Sequence, residues 1–229
     1  MNLNFGLSAE SAVRNTVRPL APWEIHDVTF KGAEVRKFNG KKDPNAVYEL
    51  LTFKYANEDG YYNVDLFFPK DGDDVRPEYQ GANGGTITRV SSFENTMAMI
   101  KQTVQILNPK GFDALQKASS KCTTFEQLAN LVVKVLTPVV GKEIKIKLTG
   151  RNRDGKVVAQ TPRILALNKD GEAFICDNYI GDKLFWSDYE AGERAKFLGA
   201  APTDPEQTST DVAGVDEAPK DEIDLSSLL

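Results

Sequence analysis

The residues able to do chemistry are few, and their spacing argues against catalysis. His26 is the sole histidine of the 229 residues, and Cys122 and Cys176 stand 54 positions apart with no spaced partners, so no metal-ligand cluster forms. Gly81–Gly85 lacks the lysine and helix start of a phosphate-cradling loop. Asp71, Asp73 and Asp74 read as a solvated loop. No nucleophile is paired with a base. The chain is therefore expected to be no enzyme, to carry no cofactor and to hold no metal.

Binding chemistry is better represented. Lys145, Lys147, Arg151 and Arg153 alternate with Ile144, Ile146 and Leu148, a strand pattern placing the four cations on one side. Arg36, Lys37, Lys41 and Lys42 crowd a first hairpin loop, and Lys54, Tyr61 and Phe67 share the polar side of a second hairpin. Cations attract phosphates and flat rings stack on bases, the pair of properties that single-strand binding requires.

The elements that must position these groups are mainly strands. Trp23, Ile25, Val28, Phe30 and then Ala33–Phe38 predict one long strand bent at a bulge near Gly32. Val47–Ala56 and Tyr61–Pro69 flank Asn57-Glu58-Asp59-Gly60, a hairpin in which Tyr55 faces Tyr62, Phe53 faces Val64 and Leu51 faces Leu66. Residues 70–90 read as a long loop. Ser91 with Glu94 is a capping box, opening a helix with Phe93, Met97, Ile100, Val104 and Leu107 inward; Asn108-Pro109-Lys110-Gly111 stops it. A second helix, with Phe125, Leu128, Leu131, Val132 and Val135 inward, ends before Pro138. Asp154-Gly155 turns the basic strand back on itself. A further hairpin surrounds Asn168-Lys169-Asp170-Gly171, and a last helix or cover strand carries Phe185, Trp186, Tyr189 and Phe197.

Charge divides the chain. The net −5 is the sum of −7 from residues 199–229 and +2 from residues 1–198, and residues 101–170 hold thirteen Lys or Arg against five Asp or Glu. The expected organisation is an N-terminal arm (1–20), a body (21–198, helical insert about 91–138) and a disordered acidic tail (199–229). The tail tip regains Ile223, Leu225, Leu228 and Leu229 among Asp221, Glu222 and Asp224, the composition of a peptide that docks on a partner. Its span of roughly 30 Å would also let it reach the basic face. No run approaches the ~18 apolar residues of a membrane span. Arg14 and Arg18 interrupt any secretory signal, and two cysteines suit a reducing compartment, so a cytoplasmic location is expected (host cytoplasm if viral).

Long bent strand, hairpin, helices, then another hairpin is the order of an OB-fold-like five-stranded barrel, α+β but mainly β, with an enlarged helical insert between strands three and four and extra C-terminal strands. In Trp23-Glu24-Ile25, Asn57-Glu58-Asp59-Gly60, Leu66-Phe67-Phe68-Pro69 and the acidic tip ending Leu228-Leu229, the chain resembles phage single-stranded DNA-binding proteins. That resemblance implies a protein that coats single-stranded DNA in replication or recombination and recruits replication or recombination proteins through its tail. Leu228-Leu229 stands where bacterial relatives often carry Pro-Phe. The alternative is a non-enzymatic phage virion or protein-interaction module that ignores nucleic acid.

Overall fold

A computed structural model describes residues 18–40 and 43–199. Its centre is a five-stranded antiparallel sheet in the order β3-β2-β1-β6-β7. These strands are β1 (Glu24–Asn39), β2 (Val47–Ala56), β3 (Tyr61–Phe67), β6 (Glu143–Arg153) and β7 (Lys156–Gln160). β1 serves two neighbours: Glu24–Thr29 pairs with β6 and Thr29–Asn39 with β2. The handover coincides with a register shift between Phe30 and Gly32, where Gly32 has φ +126°. A β-carbon is strained in that conformation, so glycine belongs at this bend.

The β2–β3 register pairs Leu51 with Leu66, Phe53 with Val64 and Tyr55 with Tyr62. All but Tyr62 are fully buried. Asn57 Oδ1 accepts from the amides of Asp59 and Gly60, both at 3.0 Å, closing the turn. Gly60 is also required by a neighbour, because a β-carbon there would stand 2.2 Å from the Arg18 carbonyl oxygen. That approach exists because Arg18 and Leu20 exchange backbone hydrogen bonds with Tyr61, each 2.9 Å long. The last residues of the expected arm thus belong to the sheet; residues 1–17 lie outside the described residues.

Between β3 and β6 lie three helices, α1 (Ser92–Leu107), α2 (Pro109–Ser119) and α3 (Phe125–Leu136). The Ser91/Glu94 capping box is present. Phe93 departs from the expected stripe and is exposed, while Ile100, Val104 and Leu107 join Val132, Leu136, Phe30, Phe53 and Ile146 in the core. Asn108 ends α1 but also caps α2 by accepting from the Gly111 amide at 3.0 Å, with Pro109 at the first helical position, where its missing N–H costs nothing.

The 70–90 segment is not wholly loop. It contains a short hairpin, β4 (Glu78–Gln80) with β5 (Thr86–Thr88). Arg76 anchors its base through a forked pair with Glu94 at 2.7–3.1 Å and a 2.6 Å bond to the Gly171 carbonyl. A second small hairpin joins β8 (Leu165–Leu167) to β9 (Ala173–Ile175), and α4 (Asp188–Phe197) completes the body. The two edge strands of the main sheet, β3 and β7, share no ladder. Burial pushes the Tyr62 phenol up to about 12, against the pull of a hydrogen bond from the Thr161 backbone and of Arg151.

Candidate nucleic-acid interface

At the β1–β2 end of the sheet three rings meet. Register places Phe38 opposite Tyr48 and Leu50 opposite Phe67. Phe38 stacks on Tyr48 at 5.4 Å, and Phe67 meets both edge-on at 6.3 Å. Phe38 is 42% and Phe67 54% exposed, and the Lys70 ammonium stands 4.6 Å from the Tyr48 ring centre. A cavity of about 260 Å³ adjoins them, bounded by Val47, Tyr48, Phe67, Phe68, Pro69 and Lys70 with Glu49. An exposed apolar cluster of this kind marks a binding surface more often than chance packing. Of the three rings only Phe67 is singled out by sequence. Phe38 needs the β1–β2 register to be placed, although alternation already puts Tyr48 on the same face as Phe67.

The middle of that face is electrically closed. Arg36 donates to Asp65 at 2.9 Å and to Thr52 at 3.1 Å, and Thr52 donates to Asp65 at 2.7 Å. Lys54 pairs with Glu34 at 2.5 Å. On the opposite side of the sheet, Lys37 pairs with Glu49 and approaches Glu126 of α3 at 3.8 Å. Arg36, Lys37 and Lys54 therefore offer a phosphate little net field, contrary to the role expected of them. Lys41 and Lys42 lie outside the described residues, as do Asp221, Glu222, Ile223, Asp224, Leu225, Leu228 and Leu229.

The four-cation strand face is broken up as well. Lys147 is 0% exposed. Its ammonium donates to Asp177 at 2.6 and 2.7 Å, to Glu190 at 2.9 Å and to the Phe185 carbonyl at 2.8 Å. The rings of Phe185 and Trp186 lie within 5.8 and 5.5 Å of it. Burial pushes the Asp177 carboxyl up; burial acts on Glu190 in the same sense, but Lys147 and Ser187 outweigh it and hold Glu190 below its ordinary value. Strand alternation correctly turns Lys147 away from the aliphatic core. It cannot register that residues 177–190 then cover that side, so Lys147 is a structural cation and no DNA contact.

Lys145, Arg151 and Arg153 stay exposed. Lys145 approaches Asp27 at 3.7 Å, a solvent-exposed contact of small worth. Arg151 and Arg153 make no ion pair among the described residues and occupy the β6–β7 hairpin, whose Asp154-Gly155 turn has φ of 53° and 76°. Tyr61, at the start of β3, is partly exposed. β3 runs from Tyr61 to the Phe67 cluster, about 20 Å at ordinary strand rise.

One groove would repel a polyanion. A groove of about 680 Å³ along Glu24–Thr29 of β1 is lined by Glu24, Asp27, Glu58, Asp59 and Glu143 and by no lysine or arginine. Among the described residues no group of three or more His, Cys, Asp or Glu could hold a metal ion. No described helix is long and apolar enough to cross a membrane. The chain matches no protein-family model, and no curated protein or solved structure is detectably similar to it.

Proposed function

We propose that the chain is a single-stranded DNA-binding protein with an OB-fold-like body, the strand lying along β3. The observation that carries this reading is the exposed Phe38, Tyr48 and Phe67 cluster beside Lys70. It offers base-stacking faces at one end of β3, while Arg151 and Arg153, without an ion pair among the described residues, offer phosphate contacts on the β6–β7 hairpin. Sheet order and the position of the helices support an OB-fold, a partly open barrel whose second and third strands form the binding face; here β3 and β7 leave it open. The composition of the acidic tail, with Ile223, Leu225, Leu228 and Leu229 at its tip, supports recruitment of replication or recombination proteins.

Fluorescence anisotropy with oligo-dT across salt concentrations tests this reading. Phe38→Ala and Phe67→Ala should each weaken binding by about 1–3 kcal/mol. Arg151→Ala and Arg153→Ala should each flatten the plot of log affinity against log salt by about 0.7. Absence of binding by the intact chain at low salt overturns the proposal. It would favour the second reading, a protein-interaction module, which draws support from the internal pairing of Arg36, Lys37, Lys54 and Lys147.

A further inference from the structure

A second groove differs in kind from the acidic one. It encloses about 700 Å³ between the β4–β5 hairpin, which contributes Tyr79, Ile87 and Arg89, and residues 160–167, which contribute Thr161 and Arg163. No Asp or Glu lines it. By contrast the β1 groove has five carboxylates, the cavity beside Trp23 has Asp177, Glu190 and Glu193, and the cavity beside Phe67 has Glu49. The Arg89 guanidinium lies 4.8 Å from the centre of the Tyr79 ring, which is 49% exposed. Neither Arg89 nor Arg163 has an ion-pair partner among the described residues. This wall is a built one, since Arg76 ties the hairpin base to Glu94 and Gly171. The groove also adjoins the β6–β7 hairpin, because Gln160, the last residue of β7, lines it.

We infer that single-stranded DNA passing the β6–β7 hairpin enters this groove, where Tyr79 stacks a base and Arg89 and Arg163 hold flanking phosphates. The inference rests on the reading of the chain as a single-stranded DNA-binding protein and adds a second stacking station to it. A polyanion needs cations and is excluded by carboxylates; among these four cavities, only this one combines arginines with an absence of acids. An arginine over an aromatic ring also presents a flat face and a charge together, which suits a base and its phosphate.

The experiment uses the full chain with oligo-dT of about 6 and about 20 nucleotides, one near the lower end of the usual range for one OB-fold and one beyond its upper end. In Arg89→Gln/Arg163→Gln the salt slope for the longer strand should fall by about 1.4, with the shorter strand, held on the Phe67 cluster, changing less than about twofold. Tyr79→Ala should weaken the longer strand by about tenfold. A bromodeoxyuridine-substituted strand, irradiated on the wild-type protein, should cross-link to the peptide containing Tyr79; this arm needs no variant to fold. An unchanged slope with no cross-link to residues 76–89 overturns the inference. If Phe67→Ala still weakens binding in that case, the proposed function stands and the strand takes another route. If the wild-type chain binds neither length at low salt, both fall together.

Discussion

Replacing Lys147 by methionine separates a buried structural cation from a DNA contact. The substitution keeps most of the apolar volume and removes the charge. Lys147 makes hydrogen bonds to both oxygens of Asp177, to Glu190 and to the Phe185 carbonyl, and those two carboxylates are only 15% and 9% exposed. An exposed pair would be worth about 1 kcal/mol or less, but stranding buried carboxylates costs about 3–5 kcal/mol. For a body of this size that is roughly 6–20 °C in melting temperature. Thermal and urea unfolding of the full chain measure it. Without Lys147, burial raises both carboxyls, so they take up protons already as pH falls towards the ordinary carboxylate range, and the deficit against wild type should narrow there. Adding Asp177→Asn and Glu190→Gln should recover much of the loss, since a glutamine still completes the Ser187 capping box. A variant of wild-type stability whose DNA salt slope drops by about 0.7 would refute the reasoning, because Lys147 would then have to face the strand.

Two further perturbations test the scaffold. Glu94 is held at about 2, chiefly by the hydrogen-bonded Arg76 guanidinium; its stabilising contribution is complete above the ordinary carboxylate value and is lost as pH falls towards 2. Glu94→Gln should therefore raise amide hydrogen exchange at Ile87 and at Arg89, whose amide donates to the Pro77 carbonyl at 3.0 Å, at neutral pH, and equal protection in both proteins would contradict the role given to Arg76. Gly60→Ala places a methyl group 2.2 Å from the Arg18 carbonyl oxygen, and should lower stability by about 1–3 kcal/mol in urea, with an unchanged midpoint as the opposing result.

Local chemistry was legible wherever a residue's neighbours in sequence are also its neighbours in space. The β2–β3 register follows from alternation on either side of one four-residue turn. The Gly32 bulge, the Ser91 cap and the Asp154-Gly155 turn are each written within a few residues. Errors came where one motif serves two purposes or where strands are very short. Asn108-Pro109 both stops α1 and starts α2, because the Asn108 side chain accepts from one free amide of the α2 first turn while Pro109, which cannot continue α1, simply lacks another. The three-residue strands β4 and β5 are too short to show a period. Tyr79 of β4 and Arg89, just beyond β5, therefore carry no signal in the sequence.

The sequence by itself determined the α+β class, the order of the five long strands and of α1 and α3, the core face of the long hairpin and the division of charge between body and tail. Each depends on periodicity, turn chemistry or counting. Tertiary structure alone decided which cations are available. Arg36, Lys37, Lys54 and Lys147 meet carboxylates brought from other strands and from residues 177–190, whereas Arg151, Arg153, Arg89 and Arg163 do not meet any among the described residues. A charge's effect on a ligand depends on what lies within a few ångströms of it, and that distance is set by packing between segments far apart in the chain.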